Sequence, residues 1–191
     1  MAGTGTLMQI TAVDQDRNLF RVTDLMPESL VEQILQTPWL SLDYTLEEGN
    51  RELRKRIDNN QLSWISSWHE SIKSQWDRIA EQTGCEHLKY LDTGFWIDMA
   101  TYTCPLHTDG ELPGAMQLYW IGSSTDIGTT WYHYKDPDHI RHAFEFVTNT
   151  GYIMINTPDS SGYRKLQWHG MLTPVPANSF RVSSYSWLIA K

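Results

Sequence analysis

Two imidazoles and one carboxylate stand at spacings that suit a single divalent cation: His107 and Asp109 two residues apart, and His169 well downstream in Trp168-His169-Gly170. In an extended segment residues i and i+2 point to the same side, so His107 and Asp109 can grip one ion together. His169 must then arrive from a different strand. Three protein ligands leave coordination positions open, which is what a reactive metal centre needs. Near the C-terminus, Arg181 and Ser183 repeat the two-residue spacing in Phe180-Arg181-Val182-Ser183-Ser184-Tyr185. A guanidinium fork matches a carboxylate bidentately and a neighbouring hydroxyl adds one hydrogen bond, so this pair reads as a clamp for an acidic cosubstrate.

The order His107-x-Asp109, distal His169, then Arg181-x-Ser183 resembles the 2-oxoglutarate/Fe(II)-dependent dioxygenases over residues 90–190. The resemblance implies Fe(II) held by His107, Asp109 and His169, with 2-oxoglutarate and O2 as cosubstrates and Arg181 and Ser183 on the distant carboxylate. It implies oxidative decarboxylation coupled to hydroxylation of a C–H bond. The carboxylate at position 109 speaks against halogenation, since halogenating relatives carry a small residue there. A tyrosine often completes the cosubstrate site in such enzymes, and Tyr102 and Tyr119 are the candidates here. Trp131 and Tyr134, in a segment dense in aromatic and imidazole groups, are candidates for contact with substrate. The size suggests a small, prolyl-hydroxylase-like member acting on a small molecule, an amino acid or a peptide side chain. Two alternatives stay open: a cupin-like module that binds metal without turnover, and a metal cupin enzyme that does not use 2-oxoglutarate.

Composition narrows the setting. At 191 residues the chain fits one domain with a core that needs no staples. Its 23 acidic against 15 basic residues, a net charge of −8, argue against a nucleic-acid backbone as the main partner. No apolar run approaches a membrane span, and Met1-Ala2-Gly3-Thr4-Gly5-Thr6 lacks the basic and apolar regions of a secretory signal, so a cytoplasmic location is expected. Cys85 and Cys104 form no Cys-x-x-Cys pair, which gives neither a disulfide framework nor a zinc ribbon. Nothing in the sequence fixes the oligomeric state.

The elements that must position the ligands follow from periodicity. Pro27 opens a helix in which Leu30, Val31, Ile34 and Leu35 recur at three and four, and 39–42 reads as extended. Thr45 and Glu48 have the spacing of a capping box, although Gly49 weakens any helix there. The charge-rich run 51–56 reads as solvated surface. Residues 61–82 give the clearest helix, with Ile65, Trp68, Ile72, Trp76 and Ile79 on one stripe and Gly84 as a stop. His69 and His87 read as structural, and Asp98 is an acid in an apolar strand that needs a partner. From residue 90 the period becomes strand-like, with strands expected at 95–102, 116–121, 129–134, 143–147, 152–156, 165–169 and 180–190 and turns between them, including 158–162. The expected architecture is α+β and mainly β. Many short strands with frequent turns favour a sandwich or barrel, and the resemblance to the dioxygenases implies a double-stranded β-helix (jelly roll, cupin-like) over 90–191, with the strands and helices of 1–89 bracing it in a single domain.

Overall fold

The computed structural model describes residues 8–16, 18–46, 53–110, 112–123, 127–156 and 167–191. The turn expected at 158–162, the first residues of the strand expected at 165–169, and Glu48 and Gly49 of the capping-box spacing lie outside those residues.

The described strands are β1 (Gln9–Ala12), β2 (Leu19–Thr23), β3 (Tyr44–Leu46), β4 (Arg54–Ile57), β5 (Leu88–Met99), β6 (Cys104–His107), β7 (Gly114–Ile121), β8 (Ile127–Tyr132), β9 (Ile140–Glu145), β10 (Thr150–Ile155), β11 (Trp168–Met171) and β12 (Phe180–Ala190). Two helices, α1 (Glu28–Gln36) and α2 (Ile65–Thr83), lie before β5. The strands form an eight-stranded sheet in the order β1-β2-β10-β7-β12-β5-β4-β3 and a four-stranded sheet in the order β6-β11-β8-β9. Every pairing is antiparallel. This is the jelly roll that the resemblance implies, and the strand-rich pattern after residue 90 is consistent with it.

Alternation along β7 explains how the large sheet is used. Met116, Leu118 and Trp120 join the core under the helices, whereas Ala115 and Tyr119 join a second core shared with Trp131 and Phe144 of the small sheet. Successive side chains of a strand point to opposite faces, so one strand feeds both layers. α2 buries Trp68, Ile72, Trp76 and Ile79 against the outer face. Trp68 fixes the docking, because its ring packs edge-on to Phe95 and Trp120 while its indole N–H donates to Thr93 Oγ1 at 3.0 Å. The helix ends at Gly84, whose φ of 70° is the left-handed cap that a side chain would strain. The inner face, turned away from α2, is therefore left for chemistry.

Three local expectations are corrected. Residues 39–41 form a 3-10 turn instead of an extended piece, because the buried Trp39 indole donates to Ile34 O at 2.9 Å and folds the chain back onto the end of α1. The run 51–56 is not simply solvated surface: residues 54–57 form β4, which lies between β3 and β5. Aromatic rings and the buried carboxylate of Asp98 supply partners that let Arg54 turn inward. The strand expected at 95–102 runs instead over Leu88–Met99, and a turn with Thr101 at φ 71° and a Tyr102 N–H bond to Met99 O ends it. Tyr102 thus sits on a corner.

Candidate metal centre

β6 is short and contains Pro105, which hides it from propensity, yet it carries the first candidate ligand, His107. It pairs with β11 so that His107 stands directly opposite His169. The approach is close: a Cβ on Gly170 would lie 2.9 Å from Cys104 O, so glycine is what lets the two strands meet beside the ligands. The ring centroids of His107 and His169 are 4.4 Å apart. Asp109 follows β6 in a turn held by the Leu112 N–H to Asp109 O bond. Its Oδ1 lies 3.6 Å from His107 Nε2 and its Oδ2 3.5 Å from His169 Nε2. One ligand atom from each of the three residues falls within 4.8 Å of the others.

The donor set fits a divalent transition metal for reasons beyond proximity. His107 Nδ1 is 2.8 Å from Pro105 O and His169 Nδ1 is 3.0 Å from Gln167 O. A carbonyl only accepts, so each Nδ1 donates its proton there and each Nε2 is turned toward the shared point, as a metal-ligating imidazole requires. Trp131 stacks on His169 with centroids 4.5 Å apart and an interplanar angle of 24°, fixing that ring from behind. Tyr185 donates to Asp109 Oδ2 at 2.5 Å. Burial pushes the Asp109 carboxyl up, but the His169 and Tyr185 hydrogen bonds and the His107 charge more than offset it and bring it to about 2. His107 moves the other way, to about 9, chiefly through its contact with the Cys104 sulfur.

The triad lies on a cavity of about 360 Å³ whose walls include Arg54, Trp96, Tyr102, Gln117, Tyr185 and Trp187. The other residues singled out in the sequence distribute unevenly around it. Tyr102 lines the cavity and accepts from Arg54 Nη1 at 2.8 Å. Arg181 and Ser183 are fully buried behind the wall: Ser183 Oγ accepts from Gln117 at 3.3 Å, and Arg181 Nη1 lies 3.8 Å from Met171 Sδ. Gln117 and Met171 both line the cavity. Tyr119 is buried, accepting from the Thr129 N–H at 3.0 Å. Trp131 supports His169 and does not line the cavity, and Tyr134 is 66 % exposed on the surface beside His139. Sequence reasoning missed Arg54, Trp96, Tyr185 and Trp187. Of these, Tyr185 and Trp187 continue the i, i+2 series begun by Arg181 and Ser183, and that spacing was the available signal.

No protein-family model matches the sequence, and no curated protein matches it. Solved structures do match. A viral collagen prolyl hydroxylase from Paramecium Bursaria Chlorella virus-1, in complex with 2-oxoglutarate, is similar at 8% identity and a TM-score of 0.62, covering 91% of this chain and 96% of that one. HygX from Streptomyces hygroscopicus, with nickel and 2-oxoglutarate bound, is similar at 11% identity and a TM-score of 0.63, covering 91% and 83%. An oxidoreductase of the 2OG-Fe(II) oxygenase family from Burkholderia pseudomallei is similar at 9% identity and a TM-score of 0.59, covering 90% and 84%. The chain has the double-stranded β-helix fold of these proteins. At such identities the likeness establishes the fold, and the reaction must be argued from the site.

Proposed function

We propose that this protein is a non-haem Fe(II) oxygenase that couples oxidative decarboxylation of 2-oxoglutarate to hydroxylation of a C–H bond in a small-molecule or peptide substrate. The observation that carries the reading is the convergence of His107, Asp109 and His169 on one point at a cavity wall, with both Nδ1 atoms anchored to carbonyls. Two imidazoles and one carboxylate on one face are the ligand set of a non-haem Fe(II) site with positions left open. When bound, Fe(II) with 2-oxoglutarate and O2 supplies the oxidising power. The similar solved structures that hold 2-oxoglutarate, one with nickel, support the same cosubstrate here.

The chain's own residues then bind, orient and exclude water. His107, Asp109 and His169 would hold the metal, and Tyr185 would keep the Asp109 carboxylate turned toward it. Arg181 and Ser183 would receive the distant carboxylate of 2-oxoglutarate. That contact requires the Met171 thioether to swing off Arg181 Nη1 and Gln117 to release Ser183, both movements of unbranched side chains. Tyr119, beside them, supplies a hydroxyl within the same buried layer. The test is anaerobic titration of the Fe(II)-loaded protein with 2-oxoglutarate, followed by succinate formation on admitting O2. A visible charge-transfer band and slow uncoupled succinate release are expected. Metal binding with neither would leave a metal-binding module or a 2-oxoglutarate-independent enzyme.

A further inference from the structure

The cavity presents a second guanidinium that the cosubstrate reading does not use. Arg54 enters from β4 and reaches the cavity wall. Its Nη1 donates to Tyr102 Oη at 2.8 Å and its Nε faces Asp98 Oδ1 at 3.4 Å. The guanidinium lies over the rings of Trp96 and Tyr102, with its carbon 5.6 Å and 5.4 Å from their centroids. These contacts hold the group in one place: Nη1 is hydrogen-bonded, whereas Nε faces Asp98 as an ion pair without a hydrogen bond. Nη2 makes no hydrogen bond to the described protein, and the side chain keeps 21% of its surface open. As a mere counterion of Asp98, Arg54 would have no reason to line the cavity. A charged fork, fixed by a buried acid and two rings with one edge left over, is instead a receptor for an anion.

Building on the oxygenase reading, we propose that Arg54 selects the substrate and that the substrate is an organic acid. Its carboxylate lies on Arg54 and Tyr102, and its apolar body lies against the cavity-facing surfaces of the Trp96 and Trp187 indoles. Both indoles line the cavity, 5.8 Å apart between ring centroids, and a volume of about 360 Å³ suits a small molecule or a single side chain. The strand register separates this acid from the cosubstrate. Arg54, Asp98 and Arg181 form one row across β4, β5 and β12, with Arg54 and Arg181 on opposite sides of Asp98. Arg181 is sealed and Arg54 meets the cavity, so two arginines serve two acids.

The experiment measures binding of 3-phenylpropionate and of its neutral match, 3-phenylpropionamide, by calorimetry. The protein is loaded with Ni(II) and saturating 2-oxoglutarate, and is also measured without either. The wild type is expected to bind the acid about tenfold or more tightly than the amide, the scale of one charge-assisted contact. Arg54→Met should abolish that preference and Arg54→Lys should keep part of it. Because Arg54→Met strands Asp98, the neutral pair Arg54→Met/Asp98→Asn is measured beside it and should also show no preference. Equal binding of acid and amide by the wild type, an unchanged preference in the Arg54 variants, or displacement of the acid by 2-oxoglutarate would overturn the assignment. An acid preference that depends on Arg54, in a protein that never binds 2-oxoglutarate, would instead uphold the acid site and sink the oxygenase reading.

Discussion

Tyr185 donates its phenol proton to Asp109 Oδ2 across 2.5 Å, so a residue on the large sheet fixes the carboxylate of the candidate metal triad that follows the small one. The bond joins the two layers at the point where the candidate ligands converge. It also occupies one lone pair of Oδ2 and leaves the rest of the carboxylate directed at the two imidazoles.

Tyr185→Phe removes that bond while keeping the ring, which packs against Trp96 and Trp187. Outer partners of metal ligands are typically worth about 10–100-fold in metal affinity. A loss of that order, with an unchanged far-ultraviolet spectrum, is expected in chelator-competition titrations with Fe(II). Unchanged affinity would show that Asp109 is oriented without Tyr185.

His107→Ala and His169→Ala should both abolish tight Fe(II) binding, but the metal-free variants should differ in stability. His107 is 41% exposed, so its truncation costs little. His169 is buried and stacked on Trp131, so its loss opens a void and should cost roughly 2 kcal/mol or more, on the order of 4–8 °C in Tm. Thermal melts with and without metal check both statements, because only the wild type should gain stability from the ion.

The net charge leads to a third expectation. A chain with net charge −8 should show no salt-sensitive affinity for generic duplex DNA at physiological ionic strength. Micromolar binding with a steep salt slope in fluorescence anisotropy would contradict it.

The legible parts of this protein were those with a strict local period. α2 announces itself through five apolar residues at helical spacing. The grouping of the candidate triad was legible in part because His107 and Asp109 stand two residues apart in one local segment. Arg54 was not, since an Arg-Lys-Arg sequence looks like surface until Asp98 and two aromatic rings from other elements are folded around it. Tyr134 failed in the opposite way: aromatic density suggested a pocket, but the ring projects from the surface beside His139. Long-range partners decide such cases, and a single sequence carries no record of them.

Arg181 provides the sharpest separation between a 2-oxoglutarate enzyme and any other use of the triad. It is completely buried, lies opposite Asp98 in the sheet register, and touches no candidate metal ligand in the described contacts. Arg181→Ala should therefore leave Fe(II) affinity in place and weaken 2-oxoglutarate binding. The loss is expected to be on the order of a hundredfold, roughly 3 kcal/mol, because the fork that matches the carboxylate is gone. Arg181→Lys keeps a point charge without the fork and should recover part of that loss. Its retained charge also keeps a second cation near Asp98, whose carboxyl burial pushes up and which Arg54 and Arg181 work to hold ionised. If Arg181→Ala melts early, Arg181→Lys thus remains the informative variant. Anaerobic titration and succinate formation give the readout, and equal 2-oxoglutarate affinity in wild type and both variants would remove Arg181 from the cosubstrate site.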